Sequence, residues 1–420
     1  DKERYEHKYE YCDLLITGSG PSGLASAYSA AKNGARVILA EDKPRFGGSL
    51  LTSDVNIGNQ TGVEWAEKII AELKTMPNVT VKNRSQVFGY YDHNMLVMSE
   101  RISDHLPKTQ KYLPKQRLWY IRANEVLISS GSIERPLVFG NNDTPGVMLS
   151  SAAKEYMKVY GVLVGKKPLI FTNNDSGYET AIEFKKNGVN PIILDTRSKP
   201  SSDIITEAKD LNIEIKFSYV VVAAKGYKKV KSADIAKISD DKKDLFNIEN
   251  IECDCICVSG FWTPSIHLAS QSGNKSKFNE KIDAFVPDKS KQKENTIGSA
   301  NGIFTLEETI KDAFDKGFDV SNKITEKNIK VSAPTVVEKK STEHDKFWCV
   351  PLPKGKSYKR FLDFQNDVAV TDIELALREG FRSIEHVKRY TTLGMATDQG
   401  KTSNLNGLQL VSDIENKVVP

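Results

Sequence analysis

The chain has no long apolar segment and little net charge. Its apolar runs, such as Val220–Ala224, stop far short of the roughly 20 residues that a membrane-spanning helix requires. Its 59 basic and 55 acidic side chains leave a formal net charge of +4 over 420 residues, which gives no support for nucleic-acid binding. We therefore expect neither a membrane nor a nucleic acid as a partner.

Cysteine is also scarce, with five residues in the whole chain. A small, odd number argues against a disulfide framework and fits a reducing cytoplasm, which is the location we predict. Cys253, Cys255 and Cys257 alternate along residues 251–258, and a period of two places them on one face of a strand. A metal site needs a fourth ligand and turn spacing, so we interpret them as small apolar side chains and predict no metal site.

A glycine-rich turn near the amino terminus is the strongest positive signal. The apolar run Leu14–Ile16 predicts a buried parallel strand, and Gly18-x-Gly20-x-x-Gly23 follows it before a helix of small residues. In a dinucleotide site the first glycine permits the turn, the second admits the pyrophosphate and the third lets helix and strand pack closely. The phosphates then lie at the helix N-terminus, where free N–H groups and the helix dipole favour an anion.

An acidic residue ends the second predicted strand, 36–40. Glu41 follows Gly23 at close to the roughly 20-residue spacing at which a carboxylate accepts hydrogen bonds from a ribose. An acid favours NAD or FAD over NADP, and the sequence leaves open which of the two is bound. Strand, glycines, helix, second strand and acid occur in the expected order. The alternative, a glycine-rich turn without a ligand, is therefore the weaker interpretation.

Several later segments resemble parts of two-dinucleotide-binding flavoproteins. In those proteins a Gly-Gly pair, here ending at Gly48, carries the chain past the cofactor, and the strand around Val87 lies beside the adenine. A small-residue turn, here at Gly131, returns the chain beneath the dinucleotide. At the junction that starts at Gly298, an aspartate of those proteins binds the ribitol of FAD, and Asn301 replaces it here, which weakens FAD in particular.

The predicted cofactor site combines these segments. Arg45 either reaches the adenosine or a phosphate or belongs to a solvated loop. The full set of predicted cofactor-binding residues is Gly18, Ser19, Gly20, Pro21, Ser22, Gly23, Glu41, Asp42, Arg45, Gly48, Ser49, Val87, Gly131, Gly298 and Asn301.

Residues 166–250 repeat the order of strand, turn and helix without the glycine fingerprint. The strand that begins at Pro168 ends in Thr172-Asn-Asn-Asp-Ser-Gly177, which puts side chains where backbone should face a pyrophosphate. Asp175 lies in this turn, and a carboxylate repels a phosphate. We therefore predict an intact Rossmann-like unit that binds no dinucleotide.

The predicted fold class is α/β, with two Rossmann-like dinucleotide-binding units in the two-dinucleotide-binding flavoprotein architecture, followed by a small helical domain. The predicted boundaries are 1–11 for an entry segment, 12–165 with 251–330 for the dinucleotide-binding domain, 166–250 for the degenerate second unit, 331–347 for a linker, 348–408 for the helical domain and 409–420 for a tail.

Passages along the whole chain carry a resemblance to one family. They include Tyr5–Asp13, Val138–Met148, Ser259–His267 and, most specifically, Glu379–Asn404. These passages resemble the alpha subunit of heterotetrameric sarcosine oxidase. Two parts of that family are missing here, an N-terminal ferredoxin-like domain and a C-terminal aminomethyltransferase-like domain. We therefore expect a piece from the middle of a longer subunit, or a shorter relative.

The resemblance implies a complex with beta, gamma and delta subunits that demethylates sarcosine to glycine, with hydrogen peroxide and either formaldehyde or methylenetetrahydrofolate as the other products. It implies amine oxidation on FAD in the beta subunit, electron transfer to FMN between alpha and beta, and a bound NAD in alpha. It assigns no residue of this chain to the chemical step, so the catalytic residues are unknown.

Three alternatives stay open at this point. The first is the equivalent subunit of N-methylglutamate or proline dehydrogenase, because the amine substrate is set elsewhere in the complex. The second is a self-sufficient NAD(P)H-dependent flavin oxidoreductase, which the degenerate second turn and the lack of a Cys-x-x-Cys pair disfavour. The third is a non-catalytic, dinucleotide-binding regulator.

The helical domain resembles the small [2Fe-2S] domain of bacterioferritin-associated ferredoxins. The four ligand positions of that domain fall on residues that are not cysteines, and Cys349 alone cannot replace them, so we predict no iron–sulfur cluster. These positions are Asp363, Gln365, Asp398 and Ser403. The predicted core of the domain is Phe361, Phe364, Ile373, Leu375, Leu377 and Val387.

A set of basic and hydroxyl side chains, called the basic rim below, lies at the end of the second predicted helix of this domain, 384–390, and in the loop after it. It is either a solvated loop or a surface that faces the FMN phosphate and the beta subunit, because cations and hydroxyl donors suit a phosphate. The basic rim consists of Lys388, Arg389, Thr391, Thr392, Lys401, Thr402 and Ser403.

Overall fold

A computed structural model describes residues 3–107, 112–339 and 341–417. The chain divides into two compact units, each built from two separate stretches of sequence. Unit 1 combines residues 1–132 with 264–338, and unit 2 combines 133–263 with 339–420.

The helices and strands are numbered in chain order. The first stretch contains β1 (Tyr5–Thr17), α1 (Pro21–Lys32), β2 (Val37–Ala40), β3 (Asn56–Ile57), β4 (Gln60–Thr61), α2 (Gly62–Thr75), β5 (Val79–Lys82), β6 (Ser85–Tyr91), β7 (Met95–Arg101) and β8 (Gln116–Ile128), with a short 3-10 turn at Gly48–Leu51. The second contains β9 (Ser132–Glu134), β10 (Val147–Leu149), α3 (Ser150–Tyr160), β11 (Pro168–Thr172), α4 (Ser176–Lys186), β12 (Ile192–Asp195), α5 (Asp203–Asp210), β13 (Glu214–Phe217), β14 (Tyr219–Lys225), β15 (Ser232–Ile238), β16 (Leu245–Glu252), β17 (Cys255–Ser259) and β18 (Trp262–Pro264).

The remaining elements complete the two units. The third stretch contains α6 (His267–Gln271), β19 (Ser276–Asn279), β20 (Ala284–Pro287), β21 (Glu294–Thr296), a 3-10 turn at Gly298–Asn301, α7 (Leu306–Thr325) and β22 (Val336–Val337). The last contains β23 (Phe361–Asp363), β24 (Val368–Ala369), α8 (Val370–Arg378), α9 (Ile384–Thr391) and α10 (Asn404–Glu415).

Unit 1 is built on a parallel sheet in the order β5-β2-β1-β8, and β21 pairs with β8 in parallel beyond it. Strands β6 and β7 extend the sheet in the antiparallel sense. The central strands carry apolar side chains on both faces. Helices pack on one face and a second hydrophobic cluster covers the other, as a buried parallel sheet requires. Helix α7 packs closely on α1, where a side chain at Gly317 would overlap the backbone of Ser26.

Unit 2 has its own parallel sheet, in the order β10-β17-β11-β12-β13. Strands β14, β15 and β16 form a separate antiparallel sheet. The prediction of an α/β fold with two Rossmann-like units is therefore confirmed, and the helical region follows at the carboxyl end. No helix in the described ranges combines the length and the apolar composition that would let it cross a membrane.

The structure corrects several predicted boundaries. Residues 133–165 and 251–263 belong to unit 2 because β10 and β17 complete its parallel sheet, whereas we assigned them to the dinucleotide-binding domain. Residues 5–11 are not an entry segment but the first half of β1, which pairs with β8 along almost its whole length. Their polar character reflects exposure of that part of the strand.

The predicted linker and tail also differ from the structure. Residues 331–338 are held in unit 1, where β22 pairs with β3, and 341–347 lie on unit 2. The predicted tail is helical as far as Glu415 because α10 runs through it, and residues 418–420 lie outside the described part of the chain.

The cysteines of the second sheet do not share one face. Cys255 and Cys257 pack among the residues beneath α3 and α4, with their sulfur atoms 3.5 Å apart. Cys253 precedes β17 and packs in the hydrophobic cluster on the other face of the sheet, because the chain is irregular between residues 252 and 255. All three thiols are buried, as predicted.

The helical region has a core of its own. Four of its predicted core residues are buried, namely Phe361, Ile373, Leu377 and Val387. The prediction was wrong for Phe364 and Leu375, which are 43% and 37% exposed. Phe364 lies in the turn between β23 and β24, and Leu375 lies on the outer side of α8.

Hydrogen bonds join the segments that carry the predicted cluster-ligand positions. The buried carboxylate of Asp363 accepts from the backbone N–H groups of Gln365, Asn366 and Gly394 at 2.7–3.1 Å. The hydroxyl of Thr397 donates to the Gln365 side chain at 2.6 Å. These hydrogen bonds tie the turn after β23 to the loop before α10.

Candidate functional site

The three glycines of the first turn have three different environments. Gly18 has a φ of +102°, and a side chain there would overlap the carbonyl oxygen of Ser129. A side chain at Gly23 would overlap the carbonyl oxygen of Gly18, so only glycine lets α1 start this close to β1. A side chain at Gly20 would meet nothing within 4 Å. The open space lies where the predicted site needs room for a pyrophosphate.

The N-terminus of α1 faces this space without a side-chain cap. Gly20 is the N-cap residue, Pro21 is the first helical residue, and among the described residues this helix end has no side-chain N-cap hydrogen bond. The first N–H groups of a helix have no partner within it and carry the positive end of its dipole. This end of a 12-residue helix therefore suits an anion such as a phosphate.

The Glu41 side chain connects the second strand to the glycine turn. One carboxylate oxygen accepts from the Ser19 backbone N–H at 2.8 Å and from the Ser19 hydroxyl at 2.5 Å. The other accepts from the Lys43 N–H at 2.9 Å. Burial, together with a hydrogen bond to Asp42, raises the pKa of Glu41 to about 7 against the effect of Ser19. The oxygen that accepts from Lys43 keeps a lone pair that a ribose hydroxyl can use, whereas Ser19 takes both lone pairs of the other oxygen.

Two further predicted segments lie against the start of α1. The backbone N–H of Gly47 donates to the carbonyl of Ser19 at 3.0 Å, and Gly48 lies so close to Gly20 that a Cβ would be 2.7 Å from its Cα. A Cβ on Gly298 would be 2.6 Å from the Ser22 hydroxyl. The structure thus brings the glycine turn, Glu41 and the loops at 48 and 298 together, although the sequence separates them widely.

The structure gives less direct support for the other predicted cofactor-binding residues. Asp42, Arg45, Ser49 and Asn301 are exposed, and Asn301 ends the 3-10 turn before α7. Val87 is half-buried in β6, whose first residue donates to the carbonyl of Glu41 at 2.7 Å. Gly131 has a φ of +76° and open space around it. These assignments stay predictions.

Sequence reasoning missed hydroxyl residues at the carboxyl ends of the sheet. The Ser129 hydroxyl contacts the carbonyl oxygens of Thr17 and Gly18, both at 2.9 Å, and so fixes the glycine turn. The hydroxyls of Thr17 and Thr296 are buried and have no hydrogen-bond partner among the described residues. Buried polar groups are normally paired, so these two are available to a bound molecule. The sequence pattern that could have identified these residues is a hydroxyl residue at the end of an apolar strand.

The equivalent turn of unit 2 is filled by side chains. Asp175 in the turn and Asp195 at the end of β12 are both buried, and the Arg197 guanidinium lies 2.9 Å from each carboxylate. Asn173 and Asn174 are also buried and hydrogen-bonded within the unit. Within the described ranges no group of three or more His, Cys, Asp or Glu side chains is arranged to hold a metal ion.

Comparison with known proteins finds two matching sequence profiles. Residues 12–294 match the sequence profile of the pyridine nucleotide-disulphide oxidoreductases, and residues 357–420 match that of the sarcosine oxidase A3 domain. The chain is 36% identical over 417 residues to the sarcosine oxidase alpha subunit of Rhizobium meliloti (strain 1021), which covers 98% of this chain and 40% of the relative.

Two more comparisons extend the result. The sarcosine oxidase alpha subunit of Corynebacterium sp. (strain P-1) is 31% identical over 422 residues, which is 99% of this chain and 43% of the relative. The chain therefore spans less than half the length of these curated relatives. In fold, it is similar to L-proline dehydrogenase from P. horikoshii, with a TM-score of 0.71 at 20% identity over 99% of this chain and 76% of that one.

The environment of Gly20 predicts a variant that folds but does not bind. In Gly20→Val the new side chain occupies the open space, so we expect loss of bound dinucleotide and the melting temperature of the nucleotide-free unmodified chain. Gly23→Val is the matched control, because its side chain would overlap Gly18 and should lower both stability and binding. Nucleotide released on denaturation, quantified by chromatography, measures the effect. Unchanged nucleotide content in Gly20→Val would contradict the assignment.

The raised pKa of Glu41 predicts pH-dependent binding. Ribose hydroxyls donate to the carboxylate, so binding must release the proton that Glu41 holds below a pH of about 7. We expect the NAD affinity of the nucleotide-free chain to rise by up to about tenfold per pH unit below that pKa and to level off above it. Calorimetry from acidic to mildly alkaline pH tests this. Glu41→Gln should bind more weakly at neutral pH and show little pH dependence; a parallel pH profile in that variant would count against the role of Glu41.

Proposed function

Because the chain belongs to the pyridine nucleotide-disulphide oxidoreductase family, we propose that it is the NAD-binding part of an alpha subunit in a sarcosine oxidase-like complex. The identity to sarcosine oxidase alpha subunits over almost the whole chain and the match to the A3 domain support this proposal. The observation that carries the cofactor assignment is the contrast between an open glycine turn in unit 1 and a filled turn in unit 2.

In this proposal the first unit holds NAD as a resident group. The N-terminus of α1 binds the pyrophosphate, Glu41 accepts from the adenosine ribose, and the Thr17 and Thr296 hydroxyls are available to the rest of the molecule. NAD can in principle carry a hydride. The arrangement around Gly20 binds and orients the dinucleotide, and we assign no proton transfer to any residue of this chain.

The chemical step belongs to other subunits in this proposal. Sarcosine is oxidised to glycine on FAD in a beta subunit, FMN lies between alpha and beta, and gamma and delta complete the complex. Hydrogen peroxide and formaldehyde or methylenetetrahydrofolate are the other products. The curated relatives are named as subunits, including an opine oxidase subunit from Agrobacterium tumefaciens (strain Ach5), which is 26% identical over 204 residues. Those names support a role in a multi-subunit enzyme.

The alternatives predict different properties. An equivalent subunit of N-methylglutamate or proline dehydrogenase would use the same sites in this chain, because the partner sets the amine. A self-sufficient flavin oxidoreductase needs a second nucleotide site to receive NAD(P)H, and the filled turn at Asp175 argues against it. A non-catalytic regulator would bind NAD but would not assemble with flavin-bearing subunits.

The purified chain distinguishes these proposals. We expect a colourless protein that releases NAD on denaturation and does not oxidise NADH. After co-expression of the corresponding full-length subunit with its partner subunits, we expect hydrogen peroxide to form when sarcosine is added. A yellow chain that consumes oxygen with NADH would establish the flavin oxidoreductase instead. A colourless chain that retains NAD but never associates with the partners would favour the regulator.

As part of the same proposal, the FMN phosphate binds at the basic rim. Arg389 and Lys401 are exposed and Lys388 is half-buried. The Thr391 and Thr392 hydroxyls donate to backbone carbonyls, so they are less available than the sequence suggested. Ser403 precedes α10, and its hydroxyl is buried without a partner among the described residues. A buried hydroxyl donor that precedes a helix and lies two residues after Lys401 suits a phosphate.

A charge-matched pair of variants tests the basic rim in the assembled complex. Changing Lys388, Arg389 and Lys401 together to Ala should lower the FMN content while the NAD content holds. The control changes Lys354, Lys356 and Arg378, which are exposed in the same region of the chain and carry the same total charge. It should retain both cofactors. Equal FMN content in the two variants would mean that the basic rim is a solvated surface.

A further inference from the structure

The second parallel sheet has the topology of a nucleotide-binding sheet. Strand β11 is followed by a turn and α4, and the strand order reverses beside it, between β11 and β17. Ligands of such sheets bind at the carboxyl ends of the strands at this switch point. Those ends are formed here by Thr172, Asp195 and Ser259. A segment of the same unit lies at this place.

That segment is residues 341–347, called the strap below. Its backbone pairs with the turn after β11: the Asp345 N–H donates to the carbonyl of Asn173, and the Asn173 side-chain amide donates to the carbonyl of Asp345, both at 2.9 Å. His344 forms an antiparallel bridge with Asn174. The strap therefore holds backbone groups of the turn that a dinucleotide would approach.

The charged side chains of Arg197 and Asp175 also hold the strap in place. The Arg197 guanidinium, which joins Asp175 to Asp195, also donates to the carbonyl of Glu343 at 3.3 Å. The Ser341 N–H donates to the Asp175 carboxylate at 2.9 Å. Asp195 ends the second strand of its sheet, as Glu41 does in unit 1. In unit 2 that acid is paired with Arg197 instead of being available to a ribose.

The strap also supplies an acidic group and a ring. The Asp345 carboxylate accepts from the Thr196 hydroxyl at 3.0 Å and lies 2.8 Å from the Lys242 ammonium. The His344 ring stacks on the Phe261 ring with centroids 3.9 Å apart and planes 7° from parallel. Phe261 has a φ of +73°, a conformation that is costly for a bulky residue and that persists only when its surroundings fix it.

We propose that the strap is a built-in occupant of the second dinucleotide site and excludes pyridine nucleotides from it. Its backbone, its carboxylate and its stacked ring satisfy the groups that a bound dinucleotide would contact. An occupant tethered to the same chain acts at a high effective concentration, so a free nucleotide competes poorly. Arg197 and Asp345 are the residues that determine this exclusion. The inference depends on contacts within unit 2 and does not require the proposed function.

The test compares strap variants of the full chain by hydrogen exchange. The double variant His344→Ala, Asp345→Ala removes the stacking and the ion pair. Exchange in peptides covering 172–177 and 341–347 should accelerate by about tenfold, the change expected from one or two net hydrogen bonds. The matched control is Thr342→Ala with Glu343→Ala, because both of its side chains are exposed. It should exchange like the unmodified chain. His344→Ala alone provides a milder variant should the double variant fold poorly.

Nucleotide binding provides the second readout. Millimolar NADH or NADPH should not protect residues 172–177 or 195–197 in the unmodified chain, and should protect them more in the double variant than in its control. Peptides covering 18–23 report binding to unit 1 in the same experiment, so a failure of the first site is distinguishable. Protection of 172–177 by NADH or NADPH in the unmodified chain, or equal exchange in variant and control, would overturn the proposal.

Discussion

The close approach of α1 to β1 at Gly23 is the constraint on which the first site depends. Any side chain there would overlap the carbonyl oxygen of Gly18, so the helix can start directly above the strand end only with glycine. Because it starts there, its uncapped N-terminus faces the open space beside Gly20. Glu41 then holds the turn through the N–H and hydroxyl of Ser19. The position of the helix N-terminus, its partial positive charge and the open space in front of it therefore all depend on the packing contact at Gly23.

The two units show how one topology can have opposite consequences for a ligand. Both have a parallel sheet in which a strand, a turn and a helix precede a second strand that ends in an acid. In unit 1 the acid bonds to backbone and hydroxyl groups of the turn, which leaves the turn open. In unit 2 the acid pairs with a buried guanidinium, and a charge that is taken out of water needs such a partner. The two turns therefore differ in their side chains and not in their topology.

Local features of the fold were predictable from the sequence, whereas features that join distant segments were not. The glycine turn, α1 and Glu41 follow from spacing within some thirty residues, which is within the reach of pattern reasoning. The assignment of β10 and β17 to unit 2 depends on pairing with β11 across long stretches of chain, and no local signal marks it. Phe364 and Leu375 looked like core residues because they are apolar, but the periodicity of α8 and the turn after β23 place them outside.

Residues 331–347 show most clearly that contacts between distant segments cannot be predicted from local sequence patterns. They carry no apolar periodicity, so the sequence indicates a linker, and the described residues of this segment form no helix. Apart from the stacked His344 ring and the buried Phe347, hydrogen bonds and an ion pair hold the strap, and such contacts leave no periodic trace in a sequence. The helical region behaves similarly, since Asp363 and Gln365 tie its two loops together through hydrogen bonds. In both places polar side chains join segments that are distant in the sequence, whereas a side chain at Gly20 would meet nothing within 4 Å.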